Sequence, residues 1–290
     1  IGSVRDFKRM KDIMTHYKVK TVYHTAAYKH VPLVETNPLI AFNNNILGTK
    51  NVIELAVKYK VPSFTLISTD KAVNPTNMMG VTKRLAEMLC QAFDNSQHVT
   101  TFSIVRFGNV LSSSGSVIPK FERQIDSGGP ITVTHPDITR FFMSIPEASQ
   151  LVIQASAMAR GGEVFILDMG EPIKIMDLAK RLCNLRGLSY YCVDEGDFSG
   201  DMEIKITGLR IAEKLFEELL ITDNAVSTEH PRILSAKDKF IELNKLLVII
   251  DRLQIALIQK NGENFKKIIS PLTEINYCKR NMLDFCASLK

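Results

Sequence analysis

The sequence predicts an α/β fold: an open, doubly wound parallel sheet with helices on both faces. Strand and helix signals alternate through the first two thirds of the 290-residue chain, and this βαβα rhythm favours parallel pairing with helical crossovers. The apolar segment 63–68 lies between Pro62 and Asp70. A short apolar run bounded in this way is typical of a strand buried in a parallel sheet.

The elements of the first part follow from local patterns. Residues 20–25 are rich in β-branched and aromatic side chains, which favour a strand. Residues 38–59 carry apolar side chains at positions 46, 53, 55 and 56, which indicates a long helix. We predict helices over 5–17, 38–59 and 80–93, and strands over 20–25, 63–68 and 101–107.

After about Gly108 the pattern changes, and we interpret the rest as a smaller lobe over the carboxyl edge of the sheet, where open α/β folds bind ligands. Two amphipathic stretches at the end, 236–260 and 263–275, either form a helical hairpin for assembly or pack against the core. We predict strands over 131–134, 163–168 and 202–206, and helices over 146–160, 173–185 and 213–220.

The composition narrows the classes of function. The net charge of +5 is modest and no dense Lys/Arg block occurs, so nucleic acid is not implied, whereas an anionic metabolite would be attracted. The five cysteines are scattered, which indicates reduced cytosolic thiols. The six histidines show no metal-ligand spacing, so we expect no metal. Because the chain opens at Ile1 inside a helical pattern, we expect a fragment of a longer protein.

Chemistry is predicted where the strand 63–68 ends in polar residues. Ser68, Thr69, Asp70 and Lys71 follow one another at its carboxyl tip, and such tips face the ligand crevice. Asp70 and Lys71 could act as proton donor and proton acceptor there. Taken alone, the motif is more typical of a capped turn with a solvated lysine than of a catalytic pair.

The motif is not alone. The stretch STDKAVNPTNMMGVTK, residues 68–83, resembles the signature of the polysaccharide-biosynthesis branch of extended short-chain dehydrogenases/reductases, the UDP-N-acetylglucosamine 4,6-dehydratases. The resemblance runs from residue 1 to about 275 and implies a Rossmann-like sheet without its first βαβ unit, plus a smaller C-terminal substrate-binding lobe. Further matching segments are 24–35, 45–52, 106–121, 128–146 and 208–220.

The resemblance implies a role for each matching residue. Thr69 would bond the sugar 4-hydroxyl, Asp70 would protonate the departing C6 hydroxyl, and Lys71 would take the C5 proton. Lys83 would bond the nicotinamide ribose. The residues implied at the cofactor are Ala26, Ala27, Lys29, Asn45, Ser68 and Lys83. The residues implied at the UDP part of the substrate are Asn109, Thr132, Arg140, Arg210 and Glu213.

The implied function is that of a lyase using NAD or NADP. UDP-N-acetylglucosamine would be oxidised at C4, lose water across C5 and C6, and regain hydride at C6, giving a UDP-4-keto-6-deoxy sugar for bacterial surface polysaccharide. The resemblance also implies a homo-oligomer, located in the cytoplasm or held there as the cytoplasmic part of an inner-membrane protein. The expected segments are an incomplete dinucleotide-binding core over 1–125, a UDP-sugar lobe over 126–235 with some return to the core, and a helical segment over 236–290.

The sequence departs from the family pattern in several places. Met79 stands where the catalytic tyrosine is usual, which fits either a damaged site or a branch that carries Met there. The cofactor's Gly-x-Gly-x-x-Gly phosphate loop is absent. Ser3 stands where an Asp often approaches adenine, and Ile211-Ala212 replaces the usual Pro-Gly.

Two other functions stay open. An inactive or regulatory fragment is favoured by the absent phosphate loop and by Ile211-Ala212, whereas the intact Thr69-Asp70-Lys71 and Lys83 favour the dehydratase. A 4-epimerase or reductase of the same fold is disfavoured, because those enzymes rely on the tyrosine that is Met79 here and need no Asp-Lys pair.

Overall fold

The computed structural model describes residues 1–196, 198–210, 213–218 and 225–273. The chain forms two compact units. Of the described residues, 1–107, 150–168, 218 and 225–273 belong to unit 1, and 108–149, 169–196, 198–210 and 213–217 belong to unit 2. The units therefore interleave along the chain, because β-strand residues after position 150 return to the sheet of unit 1, as the predicted return of the 126–235 segment to the core anticipates.

The strands are, in chain order, β1 (Thr21–His24), β2 (Ser63–Ile67), β3 (Thr101–Arg106), β4 (Asn109–Val110), β5 (Ile131–Val133), β6 (Thr139–Arg140), β7 (Phe142–Met143), β8 (Val164–Leu167), β9 (Ile173–Lys174), β10 (Tyr190–Tyr191), β11 (Met202–Ile206), β12 (Val226–Ser227) and β13 (Ile233–Ala236). The helices are α1 (Phe7–Tyr17), α2 (Val31–Thr36), α3 (Pro38–Phe42), α4 (Gly48–Lys58), α5 (Met78–Ser96), α6 (Val117–Asp126), α7 (Ile145–Met158), α8 (Ile175–Leu185), α9 (Leu243–Ile258) and α10 (Gly262–Thr273).

The sheet of unit 1 has the order β1-β2-β3-β8-β13-β12. The pairs from β1 to β8 are parallel, and β13 and β12 are added antiparallel. The predicted α/β fold with a parallel sheet is therefore confirmed, while β12 and β13 were not predicted. Because β1, β2 and β3 run in one direction, the residues after their last positions share one edge of the sheet.

Helix α5 is the centre of the unit 1 core. All its residues from 78 to 93 are buried, and Asn77 caps its start by accepting from the Gly80 amide at 2.8 Å. It packs against β3, α4 and α9, in a core that includes Phe64, Leu85 and Ile250. Truncating a core residue such as Leu85 to Ala would cost about 2–5 kcal/mol.

The single helix predicted over 38–59 is interrupted. Helices α3 and α4 are joined by the π-helical turn Asn43–Leu47, so the chain stays helical but gains a bulge. π-bulges occur frequently at functional sites, where they re-aim side chains. Here the bulge carries the buried Asn45.

Unit 2 has its own small core. The parallel sheet β10-β11-β5 packs against α6 and α8 around Phe121, Ile131, Ile175 and Ile204. Pairs β4–β7 and β6–β9 complete the unit. Helix α6 was not predicted from the sequence.

The helix predicted over 213–220 is wrong for residues 213–218, which form no helix. The Arg140 guanidinium donates to the carbonyl of Lys214 at 2.8 Å and to that of Leu215 at 3.3 Å, and the Thr139 amide donates to Leu215 at 3.3 Å. These carbonyls therefore accept hydrogen bonds from residues of β6 and not from amides of an α-helix. Residues 219 and 220 lie outside the described residues.

Among the described residues, no helix is both long and apolar enough to cross a membrane.

Candidate functional site

Ser68, Thr69, Asp70 and Lys71, which we call the quartet, form a tight turn directly after β2. Thr69 precedes one turn of 3-10 helix, Asp70–Ala72. Asp70 Oδ1 accepts three hydrogen bonds: from Thr69 Oγ1 at 2.7 Å, from the Lys71 amide at 2.9 Å and from Lys71 Nζ at 2.9 Å. The structure therefore brings Thr69, Asp70 and Lys71 into one bonded group.

The second carboxylate oxygen of Asp70 has no bond. The Asp70 side chain is fully buried, and its Oδ2 has no hydrogen-bond partner among the described residues. Buried polar atoms in native proteins are nearly always satisfied, so an orphaned oxygen calls for a partner such as a ligand. Because Oδ1 already accepts three donors, a proton carried by Asp70 would lie on Oδ2.

Helix α5 starts against this turn. A Cβ built on Gly80 would overlap the Lys71 carbonyl oxygen and lie 2.8 Å from the Pro75 Cβ, so glycine permits the close approach. Met79, which the resemblance aligned with a catalytic tyrosine, is buried in the first turn of α5. Its thioether cannot titrate, so proton transfer at this end of the helix falls to other groups.

Lys83 lies one turn further along α5. Its Nζ donates to the Ile67 carbonyl at 2.5 Å, at the carboxyl end of β2. Burial lowers the pKa of Lys83 to about 8, although the neighbouring Glu87 and Cys90 act in the opposite direction. The ammonium form thus persists at neutral pH in a buried position beside the sheet edge.

Asn45 ties the 26–29 loop to α5. Its Oδ1 accepts from the Tyr28 amide at 2.7 Å, and its Nδ2 donates to the Tyr28 carbonyl and the Thr82 hydroxyl, each at 3.0 Å. Of the residues predicted at the cofactor in this loop, Ala26 and Ala27 are half-buried and Lys29 is exposed. The amide side chain therefore sets the loop relative to the helix that carries Lys83.

His24 is a neutral neighbour of this group. The Thr49 hydroxyl donates to the Asn45 carbonyl at 2.7 Å, so its oxygen accepts from His24 Nε2 at 2.8 Å. Burial, helped by the charge of Lys83, lowers the pKa of His24 to about 3. His24 is thus a satisfied core residue that carries its proton on Nε2.

A buried ion-pair cluster beneath Ser68 was missed by sequence reasoning. It comprises Arg84, Glu87, Arg106 and Asp238, each at least nine-tenths buried. The Ser68 hydroxyl donates to Glu87 Oε1 at 2.6 Å. The signal for it was charge at positions that the helix and strand patterns place in the core, Glu87 in α5 and Arg106 at the end of β3.

Unit 2 holds a cavity of about 210 Å³. All five residues predicted at the UDP part of the substrate line it: Asn109, Thr132, Arg140, Arg210 and Glu213. The structure thus brings them together. Residues that sequence reasoning missed on its wall include Ser116 and Lys120, which belong to a segment recognised only by its resemblance.

Some polar groups of the cavity are hydrogen-bonded to other parts of the protein, and others can still bond a ligand. Arg140 is committed: its guanidinium donates to three backbone carbonyls, of Thr139, Lys214 and Leu215. Thr132 Oγ1 accepts from Lys120 Nζ at 2.6 Å and from Gln124 at 2.9 Å, which leaves its own hydrogen to donate.

Lys120 and Arg210 are the cations best placed for a ligand. Burial, together with the positive charge of Arg210, lowers the pKa of Lys120, whereas Glu213 raises it. Ser116 precedes α6, and its buried Oγ has no hydrogen-bond partner among the described residues. The amides at the start of α6 and these side chains together suit an anion. Ile211-Ala212, next to Arg210, lies outside the described residues.

The family described as "Polysaccharide biosynthesis protein" matches residues 1–238. The chain belongs to this family. It is 56% identical over 220 residues to the capsular polysaccharide biosynthesis protein CapD of Staphylococcus aureus, covering 76% of this chain and 35% of that relative. The chain thus spans about a third of the length of this curated relative. It is also 37% identical to a UDP-glucose 4-epimerase of Rickettsia canadensis, over 79% of this chain and 63% of that one.

Solved structures agree on the fold. The structure of Pen from Bacillus thuringiensis superposes with a TM-score of 0.72 at 37% identity, covering 83% of this chain and 73% of that chain. DesIV of Streptomyces venezuelae, a dTDP-glucose 4,6-dehydratase solved with NAD, gives a TM-score of 0.63 at 18% identity, covering 75% and 69%. At 18% identity the similarity to DesIV indicates a shared fold and nothing more. Both superpositions agree with the predicted Rossmann-like architecture.

Proposed function

We propose that this chain is the catalytic part of a nucleotide-sugar 4,6-dehydratase of polysaccharide biosynthesis, acting on a UDP-N-acetylhexosamine with NAD or NADP. The observation that carries the proposal is the buried Oδ2 of Asp70, which lies beside Lys71 and has no hydrogen-bond partner in the described part of the chain. Oxidation or epimerisation at C4 needs one base for one hydroxyl. Elimination of water needs an acid and a base together, and the Asp70–Lys71 pair supplies both.

The elimination requires Asp70 to carry a proton on Oδ2 while Lys71 is a neutral amine, and the 2.9 Å contact between Lys71 Nζ and Asp70 Oδ1 keeps the two groups together. With that proton on Asp70, Lys71 is a neutral amine that can take the proton from C5. The C5–H electrons form the C5=C6 bond, the C6–O bond breaks, and Asp70 protonates the departing hydroxyl. Return of one proton from the Lys71 ammonium to Asp70 Oδ2 then restores the reactive form.

Thr69 and Lys71 would orient the sugar. The Thr69 hydroxyl gives its hydrogen to Asp70, so its oxygen is left to accept from the sugar 4-hydroxyl. Met79 cannot take the proton of that hydroxyl. We therefore assign this proton to Asp70, Lys71 or a water held between them.

The residues around Lys83 fit the nicotinamide end of the cofactor. Lys83 offers a buried ammonium, Ser68 a hydroxyl, and Asn45 sets the loop that carries Ala26 and Ala27 at the same sheet edge. Bound NAD or NADP would supply a hydride acceptor for C4 and the hydride returned to C6. The protein's contribution is to place the sugar and cofactor and to move the protons.

The unit 2 cavity supports binding of the nucleotide diphosphate. Lys120, Arg210, Ser116 and the first amides of α6 offer donors to phosphate oxygens, and the Thr132 hydroxyl is free to donate to an acceptor on the ligand. Arg140 supports this indirectly, because it holds the 214–215 backbone at the cavity wall. Assembly as a homo-oligomer, attachment to a membrane and a cytoplasmic location stay predictions.

The test is to incubate the full-length protein with UDP-N-acetylglucosamine and analyse the product by NMR and mass spectrometry. A 4-keto-6-deoxy sugar, lighter by one water, supports the proposal. A 4-epimer of unchanged mass would contradict it and favour the second candidate, a 4-epimerase, which the 37% identity to the Rickettsia enzyme recommends. Nucleotide binding without turnover of either kind would favour a regulatory module.

A further inference from the structure

Glu87 is the residue on which the buried cluster converges. It lies on α5, one turn after Lys83, and its side chain is fully buried. Its carboxylate accepts from Arg106 Nε at 2.8 Å, from a terminal Arg106 nitrogen at 2.6 Å and from Arg84 at 3.1 Å, and also from Ser68 Oγ at 2.6 Å. The two arginines also pair with Asp238, at 2.5 Å and 3.3 Å.

The cluster is electrically balanced, because two guanidinium groups face two carboxylates. Burial by itself would raise the pKa of Glu87, but Arg106, Arg84 and the Ser68 hydroxyl lower it to about 2. Glu87 is therefore a carboxylate at every physiological pH. Charge balance explains why two arginines and two acidic side chains can be buried together. It does not explain the hydrogen bond that Ser68 donates to Glu87.

The Ser68 bond gives the cluster a connection to the site. A hydroxyl has one hydrogen, and Ser68 gives it to Glu87, so the Ser68 oxygen can only accept from anything else. The Ser68 amide is also held, by the Val105 carbonyl at 2.7 Å. Glu87 thus fixes the direction and the polarity of the residue that begins the quartet.

Lys83 is the second connection. The groups facing it are Glu87 and Cys90 on its own helix, His24 on β1 and the Ile67 carbonyl on β2. His24 is neutral because its pKa is lowered to about 3, and Cys90 is an uncharged thiol because burial raises its pKa. Among these groups Glu87 is the carboxylate, and its charge is the larger of the two influences that raise the pKa of Lys83.

We propose that Glu87 is a positioning residue for the cofactor end of the site, where it holds the Ser68 hydroxyl as an acceptor and keeps Lys83 an ammonium. Arg106 and Arg84 keep Glu87 ionised, and Asp238 balances them. The inference rests on the proposed function only in naming the nicotinamide cofactor as the group that Ser68 and Lys83 meet.

The first experiment titrates Lys83 by NMR in the full-length protein labelled with ¹³Cε-lysine, without cofactor, using Lys83→Arg to assign the signal. In Glu87→Gln the charge is lost while the shape and the acceptor for Ser68 remain. We expect the midpoint to fall by about one to three pH units from the wild-type value. Asp238→Asn is the matched control, since it removes a carboxylate from the same arginines, and its midpoint should equal that of the wild type.

The second experiment separates orientation from charge. Glu87→Asp keeps the charge but is one methylene too short to hold both the arginines and Ser68. We expect its Lys83 midpoint to stay at the wild-type value while the Kd for NAD rises roughly tenfold, as in Ser68→Ala, from the loss of one charge-assisted hydrogen bond.

Clear results overturn the proposal. The proposal is refuted if Glu87→Gln folds and its Lys83 titration midpoint equals that of the wild type. It is also refuted if the Lys83 midpoint falls as far in Asp238→Asn as in Glu87→Gln. If Glu87→Gln does not fold, Glu87→Asp decides, and an unchanged Kd for NAD in that variant refutes the positioning role. The Lys83 titration needs neither substrate nor turnover, so failure of the dehydratase proposal would be seen separately, in the product analysis.

Discussion

Replacing Asp70 with asparagine separates the two halves of the elimination. Asparagine has nearly the same shape, and its Oδ1 can accept the three donors that Asp70 Oδ1 accepts, from the Thr69 hydroxyl and from the Lys71 amide and ammonium. Its amide nitrogen takes the place of Oδ2, which has no partner among the described residues. The fold should therefore persist, with a thermal stability close to that of the wild type.

The amide cannot donate a proton to a leaving hydroxyl. General acid catalysis contributes about 10²–10⁴-fold to such a step, which corresponds to about 3–5 kcal/mol of barrier. We expect the kcat of Asp70→Asn for dehydration to fall by that factor. Lys71 is retained, so its neutral form should still remove the C5 proton once C4 is oxidised.

The assay follows both halves in D₂O. Full-length Asp70→Asn with UDP-N-acetylglucosamine should return substrate that carries deuterium at C5, detected by NMR, with little 4-keto-6-deoxy product. Asp177→Asn, an exposed Asp in α8, is the control and should behave as wild type. Product formation by Asp70→Asn at the wild-type rate would refute the assignment of the acid, and loss of C5 exchange in a folded variant would refute the division of roles.

Three further predictions concern single side chains. Lys120→Met should weaken UDP binding by roughly tenfold in calorimetry, through loss of a charge-assisted donor, whereas the exposed Lys174→Met should not; equal affinities would exclude Lys120 from the nucleotide site. Gly80→Ala should lower stability by about 1–3 kcal/mol and reduce activity, because its Cβ overlaps the Lys71 carbonyl; a wild-type melting curve would contradict this. The pKa of Lys83 is lowered from 10.5 to about 8, so between these pH values the unfolded state binds more protons than the folded state. The free energy of unfolding should therefore rise with pH across this range by about 3 kcal/mol. Urea unfolding at pH 8 and at pH 10.5 should show this rise in the wild type and not in Lys83→Met, and an equal pH dependence in the two proteins would refute the reasoning.

The position of Lys83 also sets an expectation for binding at high pH. Its ammonium form is lost above about pH 8, and neutral Lys83 no longer offers a charge to the cofactor. We therefore expect the affinity for the cofactor to fall above this pH. The fall and the pH dependence of unfolding would both result from the deprotonation of Lys83.

Local patterns predicted much of unit 1 correctly. The apolar run 63–68 and the helical pattern 80–93 correspond to β2 and α5, and the parallel pairing of β1, β2 and β3 is confirmed. The family resemblance, which rested on residues 68–83 above all, is confirmed by the match over residues 1–238. These features were accessible because strand and helix periodicity and turn residues depend on near neighbours in sequence.

Other features escaped sequence reasoning for a common reason. The helix predicted over 213–220 fails at residues 213–218 because Arg140, more than seventy residues away, takes the carbonyls of Lys214 and Leu215. Arg106 meets Asp238 across 132 residues of chain. Propensity gives no information on partners so far apart, since tertiary contacts override it.

The sequence by itself determined which residues stand at the end of β2 and in what order, because a strand tip followed by Ser68-Thr69-Asp70-Lys71 is a local arrangement. Only the tertiary structure decided what those residues can do. It buries Asp70 so that Oδ1 accepts three hydrogen bonds while Oδ2 accepts none from the residues that the structure describes, and it places Glu87 within hydrogen-bond distance of Ser68. Protonation and hydrogen-bond direction depend on burial and on charges brought close by packing, and these are properties of the folded chain rather than of its neighbouring residues.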